Sequence, residues 1–201
     1  MSRISVAVAL LAFALLAGAR GQALSTGPPP GATGTPAGGT FQAEMSCGGG
    51  GCHDSAEPNA DSLGRIELTG VPERYSPGAR YRLTLKVSHP QASRWGFQAT
   101  SVFRETFDGA GTFAPLGAAT QTVAGGIGRR AYIMHGVAGR AATGVGQRDS
   151  FSWEFEWVAP LPTTEAGEVQ FFASANAANG DGGPGGDHIY FAQSPLATTR
   201  R

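Results

Sequence analysis

Between Ser150 and Val158 the large apolar side chains fall on Phe151, Trp153, Phe155 and Trp157, with Ser152, Glu154 and Glu156 between them. A period of two sends successive side chains to opposite faces of a strand, so this segment predicts a strand with one aromatic face on a core and one polar face in water. The same alternation reads Glu154 and Glu156 as a solvated face and not as a pair of catalytic carboxylates. Tyr81, Leu83, Leu85 and Val87 alternate with Arg82, Thr84 and Lys86, and Trp95, Phe97, Ala99, Ser101 and Phe103 make a third run. Shorter strand candidates are Arg65 to Thr69, Gly111 to Phe113, Thr120 to Val123, Ala131 to His135, Val169 to Ala175 and His188 to Phe191. Turn-forming pieces separate them, among them Tyr75-Ser76-Pro77-Gly78, His89-Pro90, Asp108-Gly109 and Asn179-Gly180-Asp181-Gly182. No segment after residue 60 holds a helical period. About seven to nine short strands, each with one apolar face, predict an all-β domain over residues 60–193, an antiparallel β-sandwich of the immunoglobulin-like kind.

The ends of the chain read differently. Arg3, the 14-residue apolar run Ile4 to Ala17 and the small residues through Ala23 form the pattern of a secretory signal over residues 1–23. The run falls short of the roughly 20 residues that cross a bilayer, so cleavage is expected and no membrane span after it. Residues 24–44, rich in Gly and Pro, carry little that could offset their ordering entropy and predict a flexible linker. Residues 194–201 read as a polar tail. Lys+Arg and Asp+Glu each number 15, so the formal net charge is zero. No field is available to hold a polyanion, which argues against nucleic acid as a partner.

The only two cysteines lie in residues 45–59, in the run Ser46-Cys47-Gly48-Gly49-Gly50-Gly51-Cys52-His53. In a Cys-x-x-Cys-His run the thiols bond the haem vinyl groups and the histidine gives an axial nitrogen to iron. Here four residues separate the thiols, a spacing that resembles a minority variant of some multihaem cytochromes c, and glycine lets such an insertion loop out. Three readings stand: haem c on Cys47 and Cys52 with His53 as proximal ligand, a Cys47–Cys52 disulfide formed after export, or another metal. A second axial ligand would come from His89, Met134, His135 or His188. Met134 and His135 point to opposite faces of a strand, and His135 is the preferred distal candidate.

Blocks spread along the domain carry a resemblance. They are Leu68-Thr69-Gly70-Val71-Pro72, Tyr75-Ser76-Pro77-Gly78 with Tyr81, Trp95-Gly96-Phe97-Gln98, Tyr132-Ile133-Met134-His135 and Trp153 to Pro160. Val169-Gln170-Phe171, Ala175 to Gly180 and Gly186-Asp187-His188-Ile189-Tyr190 continue the series. Over roughly residues 45–192 the chain resembles the bacterial relatives of the Reelin N-terminal (Reeler) domain, the choice-of-anchor V group. The resemblance implies a secreted or periplasmic β-sandwich, a haem-type motif ahead of the first strand where Cys47, Cys52 and His53 stand, and a histidine at His135. A fold resemblance implies no reaction. There is no nucleophile elbow, no His-Glu-x-x-His and no phosphate-cradling loop, so no enzyme is expected. Asp181 and Asp187 flank a glycine-rich stretch that lacks an EF-hand pattern and reads as a turn. The leading expectation is an exported haem-c module for electron transfer or ligand binding at iron, served by a redox partner. The alternative is an adhesion module with a Cys47–Cys52 disulfide, recognising an extracellular protein or carbohydrate.

Overall fold

The computed structural model describes residues 25–49, 52–53, 57–123, 125–137, 139–162 and 167–200; the signal segment 1–23 lies outside them. Among these residues the chain order is β1 (Arg65–Thr69), β2 (Arg74–Tyr75), β3 (Arg80–His89), β4 (Arg94–Phe103), β5 (Thr112–Pro115), β6 (Thr120–Val123) and β7 (Tyr132–His135). A single helical turn, α1 (Arg140–Thr143), precedes β8 (Asp149–Val158), β9 (Val169–Ala178), β10 (His188–Gln193) and β11 (Thr198–Thr199). One antiparallel sheet has the order β1-β3-β8-β5 and the other β10-β9-β4-β7-β6, while β2 and β11 pair in parallel. The architecture is the expected antiparallel sandwich. The two extra strands are two residues each, too short to show any alternation.

The aromatic stripe of β8 does what its period predicts. Trp153, Phe155 and Trp157 enter one core with Leu83, Leu85 and Val87 of β3, Trp95 and Phe97 of β4, and Phe171 of β9. The opposite face of β8 is ionic: Glu156 lies 2.8 Å from Arg80 and Glu154 3.9 Å from Arg82.

Strands β4 and β9 depart from the half-buried pattern, because every residue of β9 and all but Arg94 of β4 are buried or nearly so. Their inner faces meet the other sheet. Their outer faces are covered by residues 25–49, which corrects the expectation of a flexible linker over 24–44. Composition misleads here because polar contacts do much of the holding, with Phe41 as an apolar contact on the cluster of Val102, Phe107 and Phe172. The Ala32 N–H donates to Gln98 Oε1 at 2.7 Å, Gln98 Nε2 donates to the Pro29 carbonyl at 2.9 Å, and the Cys47 N–H donates to Ser174 Oγ at 3.1 Å. Glu44 anchors the segment from within, accepting from Arg130 at 2.5 Å, from the Tyr132 hydroxyl at 2.6 Å and from the Thr33 hydroxyl. Gly38 lets the strap touch the small cluster of Val102, Phe107 and Phe172: a Cβ there would stand 2.3 Å from Phe107 Cδ2.

The far end is likewise part of the fold and not a polar tail. Ala197 is fully buried and exchanges hydrogen bonds of 2.8 and 2.9 Å with Val169, and the strand after it pairs with β2. Backbone pairing of this kind leaves no mark on the apolar pattern. Among the described residues no helix is long and apolar enough to cross a membrane.

Candidate functional site

Because the strap crosses the outer face of β4 and β9, it delivers Cys47 to a cleft at one end of the sandwich. Cys52, His53 and His135 line the same cleft, with Pro28, Pro29, Met45, Trp95 and Phe97 as apolar wall. Its cavity volume is about 130 Å³, behind an open mouth. The four residues singled out from sequence for haem chemistry are therefore brought together, although His135 belongs to β7 and the others precede β1. Both thiols are free, Cys47 buried and Cys52 partly exposed.

His53 is oriented by a residue that sequence reading took for part of a turn. Asp187, just ahead of β10, is 2% exposed, and its Oδ2 accepts from His53 Nδ1 at 2.6 Å. A carboxylate on Nδ1 fixes the tautomer that leaves the Nε2 lone pair for a ligand, the usual support of a metal-binding histidine. The Asn176 amide reaches the same ring, its Nδ2 lying 3.1 Å from Nδ1 and 3.2 Å from Nε2, while it also donates to Asp187 Oδ2 at 3.1 Å. Asn176 Oδ1 is buried without a hydrogen-bond partner. The only sequence signal for Asp187 is a carboxylate beside a histidine in Gly186-Asp187-His188, and Asn176 carries none.

His135 is 5% exposed and its Nδ1 sits beside the Phe97 backbone, 3.2 Å from N–H and 3.4 Å from C=O. Either tautomer therefore finds a backbone partner at Nδ1. The ring fits because residue 96 is glycine: a Cβ there would stand 3.1 Å from His135 Cε1. The other three second-ligand candidates are elsewhere. Met134 directs its sulfur toward Gln98, whose Nε2 is 3.9 Å away, and His89 and His188 stack on each other at 3.9 Å beside Asp61.

Burial pushes the Cys47 thiol up from its ordinary 9.0 to about 11, with Cys52 adding to the rise and the Ser174 hydrogen bond opposing it. The folded state thus favours the neutral thiol. Its contribution to stability is whole below about pH 9 and lost as pH climbs through about 11. Reactivity follows, because the thiolate is the nucleophile. Iodoacetamide near neutral pH is expected to label Cys52 well before Cys47 in the folded protein and both alike in urea; peptide mapping that finds equal rates in the folded protein would contradict this placement.

A single metal ion is a poor occupant for the cleft. Among the described residues, three His, Cys, Asp or Glu donor atoms lie within 4.8 Å of one another only at Asp61, His89 and His188, outside it.

No family model matches the chain, and no curated protein matches it. Among solved structures it is similar to the reeler domain of human F-spondin, with 20% identity, 73% of this chain and 95% of that one covered, and a TM-score of 0.45. It is similar also to the Reelin-N domain of F-spondin, with 21% identity, 73% and 93% covered, and a TM-score of 0.47. A third similar structure is AvmM, which catalyses macrocyclization in alchivemycin A biosynthesis, with 12% identity, 70% and 90% covered, and a TM-score of 0.43.

Proposed function

We propose that this protein is an exported, non-catalytic β-sandwich module of the Reeler kind that carries one covalently attached haem c, used to pass electrons or to bind a small ligand at iron. The observation that supports the reading is the convergence of Cys47, Cys52, His53 and His135 on one apolar cleft. Cys47 and Cys52 would form the thioether attachments, His53 would be the proximal ligand and His135 the distal one. When bound, haem supplies a one-electron couple and a ligand-binding iron.

The chain's own residues divide the remaining work. Asp187 holds His53 by Nδ1 and fixes the orientation of its ring. Trp95, Phe97 and the Pro28–Pro29 wall exclude water from the inner side of the cleft. The Phe97 carbonyl orients His135. The Asn176 amide has to turn from His53 Nε2 before that nitrogen serves a ligand, and the unpartnered Oδ1 shows that its present bonding is incomplete.

A second reading rests on both free thiols lining the same cleft. A disulfide there would make the domain a pigment-free interaction module. Production in a host with haem-attachment machinery, followed by haem staining of a denaturing gel, separates the two. The wild-type band is expected to hold pigment and the Cys47→Ala/Cys52→Ala band to lose it; a colourless wild-type band overturns the haem reading.

A further inference from the structure

Two of the four histidines take no part in the cleft. His89 ends β3 in one sheet and His188 opens β10 in the other, and their rings stack with centroids 3.9 Å apart and planes 24° from parallel. Asp61, in the loop before β1, completes the group. Its Oδ1 is held by the Leu63 N–H at 2.9 Å, the Gly64 N–H at 3.3 Å and the Tyr190 hydroxyl at 2.9 Å. Oδ2 is left to face the imidazoles, 2.6 Å from His188 Nδ1 and 4.0 Å from His89 Nε2. A carboxylate with one oxygen tied by three donors and the other presented to two imidazoles has the form of a preorganised monodentate metal ligand.

His89 supplies the observation that a hydrogen-bonded cluster alone does not account for. It is 1% exposed, and its Nε2 is buried with no hydrogen-bond partner. Native interiors rarely leave such an atom unpaired. Burial first, and then the neighbouring His188, hold its proton affinity below the ordinary imidazole value against the pull of Asp61, so the ring is kept neutral as ligation requires.

We propose that Asp61 Oδ2, His89 Nε2 and His188 Nδ1 bind one divalent transition-metal ion of the zinc class, with water on the partly exposed side of Asp61 and His188 as fourth ligand. Tetrahedral bonds of about 2.0–2.2 Å set neighbouring donors about 3.3 Å apart. That spacing lies between the 2.6 and 4.0 Å now present, so the ion opens one and closes the other by about 0.7 Å, and it turns the two imidazoles out of their stack so that both in-plane lone pairs meet it. Binding at His188 Nδ1 moves the proton now facing Asp61 to Nε2 of the same ring, which stays neutral. It also moves the His89 proton to Nδ1, which costs the 3.2 Å bond that the Gln91 N–H donates there. The ion ties β3 of one sheet, β10 of the other and the loop before β1. This site is independent of the cleft, and its occupancy is independent of haem.

The test uses the full chain carrying Cys47→Ser/Cys52→Ser, so that the cleft offers no sulfur. Titration with Zn²⁺ is expected to give one equivalent bound, a rise in thermal midpoint that a chelator reverses, and a Co²⁺ spectrum of four-coordinate nitrogen and oxygen ligation. His89→Asn or His188→Asn abolishes the rise, and Tyr190→Phe weakens binding about tenfold by removing one of the three donors to Oδ1. No bound equivalent, or binding that survives both histidine substitutions, overturns the proposal. Should those variants fail to fold, the unsubstituted histidine protein decides: the Gln91 amide resonance shifts when Zn²⁺ binds, and an amide that stays put while the ion binds overturns the site.

Discussion

Trp153→Ala lowers the thermal midpoint by about 6–20 °C, the equivalent of about 3–5 kcal/mol for truncating a buried Trp in a domain of this size. The indole is 1% exposed and sits between Phe97, with ring centroids 4.6 Å apart, and Phe151 at 4.9 Å. Its Nε1–H donates to the Ala142 carbonyl at 2.7 Å, the bond that fastens α1 to the core. Truncation therefore opens a cavity and strands a carbonyl together. Trp153→Phe separates the two effects, keeping most of the volume and losing only the hydrogen bond, for about 1–3 kcal/mol. The damage reaches the site, because the ring packed against Trp153 is Phe97, whose backbone holds His135. Thermal unfolding followed by circular dichroism checks both variants, and a midpoint for Trp153→Ala equal to wild type would contradict the packing described.

Arg130→Met is expected to be comparably severe, at about 3–5 kcal/mol, because it leaves the Glu44 charge buried without its partner. Both side chains are fully buried, and Arg130 donates to the Phe107 carbonyl as well, at 3.1 Å from Nε and 3.0 Å from the second terminal nitrogen. The ion pair does not merely stabilise. It is the inner anchor of the strap that carries Cys47, so the single variant also exposes residues 25–49 to proteolysis and displaces the thiols from the cleft. Replacing both charges, as Arg130→Met/Glu44→Leu, removes the stranded carboxylate and recovers most of the loss. Recovery is incomplete by about 1–3 kcal/mol, since the Tyr132 and Thr33 hydroxyls lose their acceptor. Urea unfolding of the three proteins measures this order, and a single variant as stable as the double one would contradict the buried pair.

The strands were legible wherever one face met the core and the other met water. Phe151 to Trp157 and Tyr81 to Val87 read directly as alternating faces, and the structure places them so. The same logic understated β9, which runs on to Ala178 because its polar residues are buried too, Ser174 accepting from the Cys47 N–H of the strap and Asn176 bonding His53 and Asp187. Polar residues on a covered face look like polar residues in water until the cover is known. The strap itself was illegible for the matching reason: Pro28 to Thr40 offers almost no apolar area, and its binding energy lies in backbone amides, in Gln98 and in one buried ion pair whose members are far apart in sequence. Of the candidate site, Cys47, Cys52, His53 and His135 were visible as chemistry-bearing residues. Asp187 and Asn176 were not, because their role depends on which loop the sandwich folds against the thiols.

The proposed haem attachment rests on the strap and β7 bringing two sulfurs and two imidazoles to one cleft. An intact mass spectrum of the denatured protein, purified from a host able to attach haem, tests it most directly. The account predicts the mature chain plus one haem, with peptide mapping that finds the adduct on both Cys47 and Cys52. A chain two hydrogens lighter than its reduced form and carrying no haem would show those sulfurs joined to each other, and would contradict it.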